Sequence, residues 1–266
     1  MDDRDGSEGV GAFLQSLFGL HGQTAVVTGG TSGLGAATGM ALARAGAKVI
    51  LVGRDGARGR GVVDGITAAG GHAELELADV GEPDDISALA ERVLANHPRV
   101  DILVNAAGVY LGGKAEDVIL ADWNHVFAVN VTGSFLMCQA FGRGMVANGS
   151  GKIVNFASTD GLVGVPEQVA YCASKAAVAE MTRTLAVEWA RHGVHVNCIA
   201  PGEFATPIIA HLLDQPDYKS WVTTAIPSGR VGQPNELVAA ILLLVAPGSP
   251  LVVGHTLVVD GGRTVL

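Results

Sequence analysis

Tyr171 and Lys175 stand four residues apart in the run Tyr171-Cys172-Ala173-Ser174-Lys175. On a helix, positions i and i+4 share a face, so a phenol and an ammonium become neighbours. A free tyrosine has a pKa of about 10, and a cation beside it favours the phenolate. A tyrosine that works as a base near pH 7 needs a shift of roughly 3 units, or about 4 kcal/mol. Ser158 lies thirteen residues before Tyr171 and closes a strand-like run. Parallel sheets hold their ligands outside the carboxyl ends of strands, and that is where this serine falls. A Tyr-x-x-x-Lys pair alone arises often by chance, so its weight comes from what surrounds it.

The strongest neighbour is Thr28-Gly29-Gly30-Thr31-Ser32-Gly33-Leu34-Gly35, between a strand-like and a helix-like run. Glycines let a backbone turn tightly and approach a pyrophosphate, which then sits on a helix N-terminus with its free N–H groups. The Gly-x3-Gly-x-Gly spacing differs from the commoner G-x-G-x-x-G. A glycine turn that binds nothing is the plain alternative, and the strand before it and helix after it argue for the phosphate.

These groups must be held by an alternation of short elements. Strand-like runs occupy 24–28, 49–52, 74–77, 101–105, 152–158, 194–200 and 256–260. Residues 34–45 read as a helix of small residues. Ile86, Leu89, Ala90, Val93 and Leu94 form an amphipathic helix with Pro83 suited to its first turn. Strand–helix alternation at this spacing predicts a doubly wound α/β fold with one parallel sheet. Residues 1–11 read as a disordered tail and 12–266 as a single domain. Residues 203–232 form the one long irregular stretch. Its first part, 203–225, carries Phe204, Ile208, Ile209, Leu212, Leu213 and Trp221, and is expected to act as a mobile lid.

Composition narrows the partners. There are 17 Lys+Arg against 26 Asp+Glu, a net charge of −9, which argues against nucleic acid or an anionic membrane. With 48% apolar and 16% charged residues, the chain can build a large core. The polar, acidic start is unlike a signal peptide, and no apolar run is long enough to span a bilayer. Cys138, Cys172 and Cys198 are far apart and read as packing residues, which fits a reducing, cytoplasmic setting. The eight histidines show no ligand spacing, so no metal site is expected.

Together these residues resemble the short-chain dehydrogenase/reductases over residues 18–264, in the branch of gluconate dehydrogenases and 3-oxoacyl carrier-protein reductases. The matching pieces, in order, are TGGTSGLG, Asp79-Val80, NAAG from Asn105, Asn130 in VNVTG, Ser158, YCASK, and Pro201-Gly202 with Thr206. The resemblance implies a seven-stranded, single-domain Rossmann-type fold. It implies an oxidoreductase that interconverts a secondary alcohol and a ketone on a small polar substrate such as a sugar acid or polyol. A 3-oxoacyl carrier-protein reductase is the alternative, and a non-catalytic dinucleotide sensor a remote one.

The resemblance also assigns roles. Tyr171 exchanges a proton with the substrate oxygen, and Ser158 hydrogen-bonds that oxygen. Lys175 lowers the Tyr171 pKa and binds the nicotinamide ribose, while Asn130 links Lys175 to solvent through a water. Gly29, Thr31, Ser32, Gly33, Leu34 and Gly35 hold the pyrophosphate. Asp79 and Val80 meet the adenine, and Asn105, Ala106, Ala107 and Gly108 line the adenine-ribose side. Pro201, Gly202, Phe204 and Thr206 flank the nicotinamide. The family commonly reads N-N-A-G where this chain has Asn105-Ala106-Ala107-Gly108, which loses one side-chain amide. Gly53 stands where NAD-preferring relatives carry Asp, and Arg54 follows it. A guanidinium suits a 2′-phosphate, so NADP(H) is favoured with NAD(H) still open. From Val169 to Ala190 only Lys175, Glu180, Arg183 and Glu188 are charged, so this helix is expected to be covered on both sides, as in a homotetramer or homodimer.

Overall fold

The computed structural model describes residues 4–265. Its strands are β1 (Thr24–Thr28), β2 (Lys48–Gly53), β3 (His72–Leu77), β4 (Ile102–Asn105), β5 (Gly151–Phe156), β6 (Val194–Pro201) and β7 (Thr256–Val259). Its helices are α1 (Arg4–Phe18), α2 (Gly33–Arg44), α3 (Gly56–Ala68), α4 (Pro83–Asn96), α5 (Leu120–Phe127), α6 (Ser134–Asn148), α7 (Val169–Trp189), α8 (Pro216–Ala225) and α9 (Val238–Val245). Among the described residues the strands form one seven-stranded parallel sheet in the order β3-β2-β1-β4-β5-β6-β7.

The inner strands β1, β2 and β4 read as largely apolar runs because both faces are covered, whereas the edge strand β3, His72–Leu77, carries alternating charges and stays partly exposed. Side chains alternate between faces along a strand, and so they divide between two cores. Val26, Ile50, Val52, Leu103 and Ile153 pack with Leu89 and Val93 of α4 and Met137 and Phe141 of α6. Ala25, Val27, Val49, Leu51, Ile102, Val104 and Val154 pack with Leu42 of α2 and Ile241 and Leu244 of α9. Helix α2 is made of small residues because it lies very close to the sheet. A Cβ on Gly39 would stand 2.6 Å from Leu51 Cδ2.

Two expectations change. The tail expected over 1–11 is helical from Arg4 as the start of α1, its residues 1–3 lying outside the described residues. The cause lies at the other end of that helix, where the Leu17 carbonyl accepts from the Gly248 N–H at 3.0 Å and Leu20 is fully buried. A docked final turn supplies the nucleus from which helix extends backwards at little cost. The stretch 203–232 is not irregular throughout, since α8 lies inside it with Pro216 in its first turn. Tyr218, Trp221 and Val222 fall at helical spacing, which explains the order.

Polar groups also tie the sheet from within. Asn105 Nδ2 donates to Asn155 Oδ1 at 2.9 Å, and Asn155 Nδ2 donates to Thr182 Oγ1 at 2.9 Å, which joins β4, β5 and α7. On the strand pair β5–β6, Lys152 and His195 are in register, and Lys152 Nζ donates to His195 Nδ1 at 2.8 Å. Burial first, and the Lys152 charge second, hold the His195 pKa below its ordinary value. The native state therefore binds fewer protons at this ring than the unfolded chain does. Its contribution to stability is whole above the unfolded value of about 6.5 and is lost as pH falls through that value. We expect the denaturation midpoint to fall between about pH 8 and about pH 5.5, and to fall less in His195→Asn. Parallel slopes for the two proteins would remove His195 from this account.

Candidate active site

Lys175 emerges from the first half of α7 and is 5% exposed. Its Nζ donates to the Phe156 carbonyl at the end of β5, at 2.8 Å, and lies 5.7 Å from the centre of the Tyr171 ring. Burial draws the Lys175 pKa down to about 8, so the ammonium still carries its proton at pH 7. Ser158 follows β5 in extended backbone, and its Oγ accepts the Asp160 N–H at 3.1 Å. Ser158, Tyr171 and Lys175 thus face one cavity of about 520 Å³.

The Tyr171 phenol departs from the expectation of a lowered pKa. Burial pushes it above its ordinary value, and the carboxylates of Asp160 and Glu203 push it further. A hydrogen bond with Ser158 works in the opposite direction. Desolvation disfavours any charged form, and the single ammonium 5.7 Å from the ring centre does not offset it.

Asn130 sits in a π-helical turn, Ala128–Gly133, between α5 and α6. Such bulges often mark functional positions. Here the turn lets the amide reach Val109 at both backbone atoms. Asn130 Oδ1 accepts from Val109 N at 2.8 Å, and Nδ2 donates to Val109 O at 3.0 Å and to Ser174 Oγ at 3.0 Å. The side chain is therefore spent on bracing the loop after β4 against α7. A Cβ on Gly108 would stand 3.3 Å from both Asn130 Oδ1 and Lys175 Nζ, so glycine leaves room between them.

The glycine turn forms the opposite wall. Gly29 has φ +64° and Gly33 φ +54°, a region where side chains are strained. A Cβ on Gly29 would stand 2.8 Å from the Ala107 nitrogen, and one on Gly35 would overlap the Gly29 carbonyl. The Ala107 N–H donates to Thr28 Oγ1 at 3.1 Å, so that threonine holds the loop in the absence of the second amide. Ser32 precedes α2 without capping it, and no acidic residue occupies the first turn. The N-terminus of α2 therefore presents free N–H groups beside Ser32, Leu34 and Gly35, which line the cavity. The cradle fits a dinucleotide pyrophosphate.

Gly29, Ser32, Leu34, Gly35, Ala106, Ala107, Gly108, Pro201, Gly202, Phe204 and Thr206 line the same cavity as Ser158, Tyr171 and Lys175. Gly33 packs beside it, its Cβ position 3.5 Å from Thr206. Other expected residues lie elsewhere. The Asn105 side chain does not line the ribose side but points into the core, 2% exposed, where its Oδ1 has no partner among the described residues. Val80 belongs to the core as well. Arg54 and Asp79 lie outside the cavity wall and pair at 3.1 Å. Thr31 lies over Gly53, whose Cβ would meet its Cγ2 at 2.6 Å.

Several wall residues escaped the sequence reading. Tyr110 meets Tyr171 edge-on at 5.4 Å. Asp160, Glu203, Tyr218 and Arg263 also line the cavity. Arg263 reaches Asp160 across 103 residues of chain, a distance no local pattern spans. Ile208, Ile209, Leu212 and Trp221, expected from the sequence as apolar cover, line it.

Known proteins point the same way. A family described as "Enoyl-(Acyl carrier protein) reductase" matches residues 29–264. The galactitol 2-dehydrogenase (L-tagatose-forming) of Cereibacter sphaeroides is 41% identical over 254 residues, 94% of this chain and 98% of that protein. The D-threitol dehydrogenase of Mycolicibacterium smegmatis is 38% identical, over 93% of this chain and 95% of that protein. The crystal structure of a gluconate 5-dehydrogenase from Burkholderia cenocepacia in complex with NADP and tartrate superposes with a TM-score of 0.91 at 33% identity, over 95% of this chain and 99% of that one. With its seven-stranded parallel sheet and its serine, tyrosine and lysine around one cavity, the chain belongs to the short-chain dehydrogenase/reductase family of NAD(P)-dependent oxidoreductases that act on secondary alcohols.

Proposed function

We propose that this enzyme interconverts a secondary alcohol and a ketone on a small polyol or sugar acid, with Tyr171 as the acid and base. The observation that carries this reading is one cavity with Ser158, Tyr171 and Lys175 on one wall and the free N-terminus of α2 on the other. Relatives named for threitol, galactitol and gluconate support the substrate class. A nicotinamide held in this cavity would supply the hydride exchange with the carbinol carbon.

The chain's own groups handle the proton. In the reduction direction the raised Tyr171 phenol keeps its proton until a carbonyl oxygen becomes basic enough to take it. Ser158 steadies the same oxygen by hydrogen bonding. In the oxidation direction the phenolate must take the hydroxyl proton, and a positive charge added at the site favours that form. Lys175 lies 5.7 Å from the centre of the Tyr171 ring, where it would orient the phenol and hold the nicotinamide ribose. Asn130 is a positioning residue that fixes the loop around Gly108. Tyr171→Phe keeps the ring and removes the proton. We expect kcat to fall by about a hundredfold or more with cofactor affinity little changed. Turnover near that of the wild type would overturn the assignment.

NADP(H) is the favoured cofactor in this reading, with NAD(H) accepted less well. Arg54 follows the end of β2 and is largely exposed, with Asp79 as its present partner. It can turn from that carboxylate to a 2′-phosphate with no repacking. A charge-assisted hydrogen bond of this kind is worth about tenfold in binding at the low end. Arg54→Ala is expected to reduce the ratio of kcat/KM for NADP(H) over NAD(H) by about tenfold. A wild type that prefers NAD(H) would refute this use of Arg54.

Helix α7 also supports self-association. Val187 on its outer side is 80% exposed, and Val169 is 41% exposed. A homodimer or homotetramer in the cytoplasm is the expected form. Light scattering should return a mass of two or four chains, and a single-chain mass would exclude it. Among the described residues no helix is long and apolar enough to cross a membrane.

A further inference from the structure

Arg263 enters the cavity wall from the turn after β7 and grips the turn that follows Ser158. Its Nη1 donates to Thr159 Oγ1 at 2.8 Å and to Asp160 Oδ1 at 2.6 Å. These are the next two residues after Ser158, and the Asp160 N–H donates in turn to Ser158 Oγ at 3.1 Å. The guanidinium is thereby fixed one short turn from the serine assigned to the reacting oxygen. Its central carbon lies 5.5 Å from the centre of the Trp221 ring, which covers one face and leaves the edges free.

The hydrogen bonds spend a single nitrogen. Nε and Nη2 have no hydrogen-bond partner among the described residues. The Arg263 side chain is only 11% exposed, yet neither nitrogen is sealed in, and the residue lines the cavity of about 520 Å³ that holds Ser158 and Tyr171. Glu203 does not take the open edge. Its Oε1 stands 3.9 Å from Nη1, and its Oε2 accepts from the Tyr218 hydroxyl at 2.8 Å. Burial pushes the Glu203 carboxyl above its ordinary range, with the Tyr218 hydrogen bond working against that, so its claim on the cation is weakened.

A guanidinium that only braced a turn would have its remaining donors paired or turned to bulk water. Here Nε and Nη2 make one edge of a rigid plane, with their N–H bonds side by side. Such a fork matches two neighbouring oxygens, either the carboxylate of a hydroxy acid or the hydroxyls of a polyol. A monohydroxylated alcohol offers it nothing.

We propose that Arg263 is a specificity-determining residue whose Nε–Nη2 edge binds the oxygens that a substrate carries beyond its reacting carbon. The inference rests on the polyol or sugar-acid reading of the site and names the group that enforces it. Ser158 and Tyr171 read the reacting oxygen, and Arg263 reads the rest of the molecule.

The experiment measures kcat and KM by nicotinamide absorbance for a four- to six-carbon alditol, its aldonate and the matching monohydroxylated secondary alcohol. It compares the wild type with Arg263→Lys, and with Arg263→Gln as a second variant, each checked for folding by circular dichroism. Lysine keeps a cation for Asp160 but has no fork. Loss of charge-assisted hydrogen bonds should raise KM for the oxygen-rich substrates by about tenfold to a hundredfold and leave the monohydroxylated alcohol little changed. A larger loss for the aldonate identifies a carboxylate as the bound group, a larger loss for the alditol identifies hydroxyls, and each supports the assignment. A purely bracing role has another signature. Ser158 meets the reacting oxygen of every substrate, so kcat would fall alike for all of them with KM kept. That result, or unchanged kinetics in a folded variant, would overturn the inference and leave the proposed reaction standing. Wild-type turnover of a 3-oxoacyl thioester, with none of any polyol or sugar acid, would overturn the substrate reading and this inference together.

Discussion

A buried ammonium sets the terms for the whole site. An unpaired charge away from water is among the most costly features a protein can hold. Lys175 is 5% exposed, and its nearest fixed partner is one carbonyl at the end of β5. Its surroundings are arranged to make that position tenable. Gly108 leaves space above it, and a Cβ on Gly161 would stand 2.7 Å from its backbone carbon, so the turn after Ser158 can press against α7. The π-helical turn carries Asn130 to the same loop. Tyr171 is then fixed one helical turn away, its ring centre 5.7 Å from the ammonium.

The sheet supplies the accuracy that such packing needs. Strands β4, β5 and β6 end side by side, and the loops that follow them carry Gly108, Ser158 and Gly202. Beneath these loops Asn105, Asn155 and Thr182 make a chain of buried hydrogen bonds from β4 to α7. Polar networks in a low-dielectric interior are directional, so they fix register where apolar packing alone tolerates sliding. This explains why the first residue of the NAAG run faces inward and not towards a ligand.

Much of this was legible before any coordinates. The seven strands, the turn at Gly29–Gly35 and the Tyr171–Lys175 face all follow from short-range periodicity, which local sequence carries. The start of α1 was not legible because its order comes from docking at Gly248, far along the chain. Nor was the direction of the Tyr171 pKa. Spacing reveals that a cation is near, but burial decides the sign, and burial is a property of the assembled molecule. The Asp160–Arg263–Glu203 cluster was hidden for the same reason, because its members meet only when β5, β6 and the turn after β7 are in place. The spacing that suggests Arg54 for a 2′-phosphate and Asp79 for the adenine does not reveal that the two side chains pair at 3.1 Å, because β2 and the turn after β3 meet only in the assembled sheet.

The all-parallel topology also governs how the molecule is made. No two neighbouring strands are joined by a hairpin, so each pairing waits for a crossover. Strand β1 finds β2 within a short stretch, but its other edge, at Ala25, pairs with Ile102 only after three further helices have been synthesised. Pairings of this separation fold slowly, and an unpaired strand edge invites other chains. The N-terminal half thus spends part of its synthesis with β1, four of whose five residues are buried in the finished sheet, open on one side. Aggregation during folding, and not instability of the finished enzyme, is the hazard this architecture carries, and the rate at which β4 arrives sets its duration.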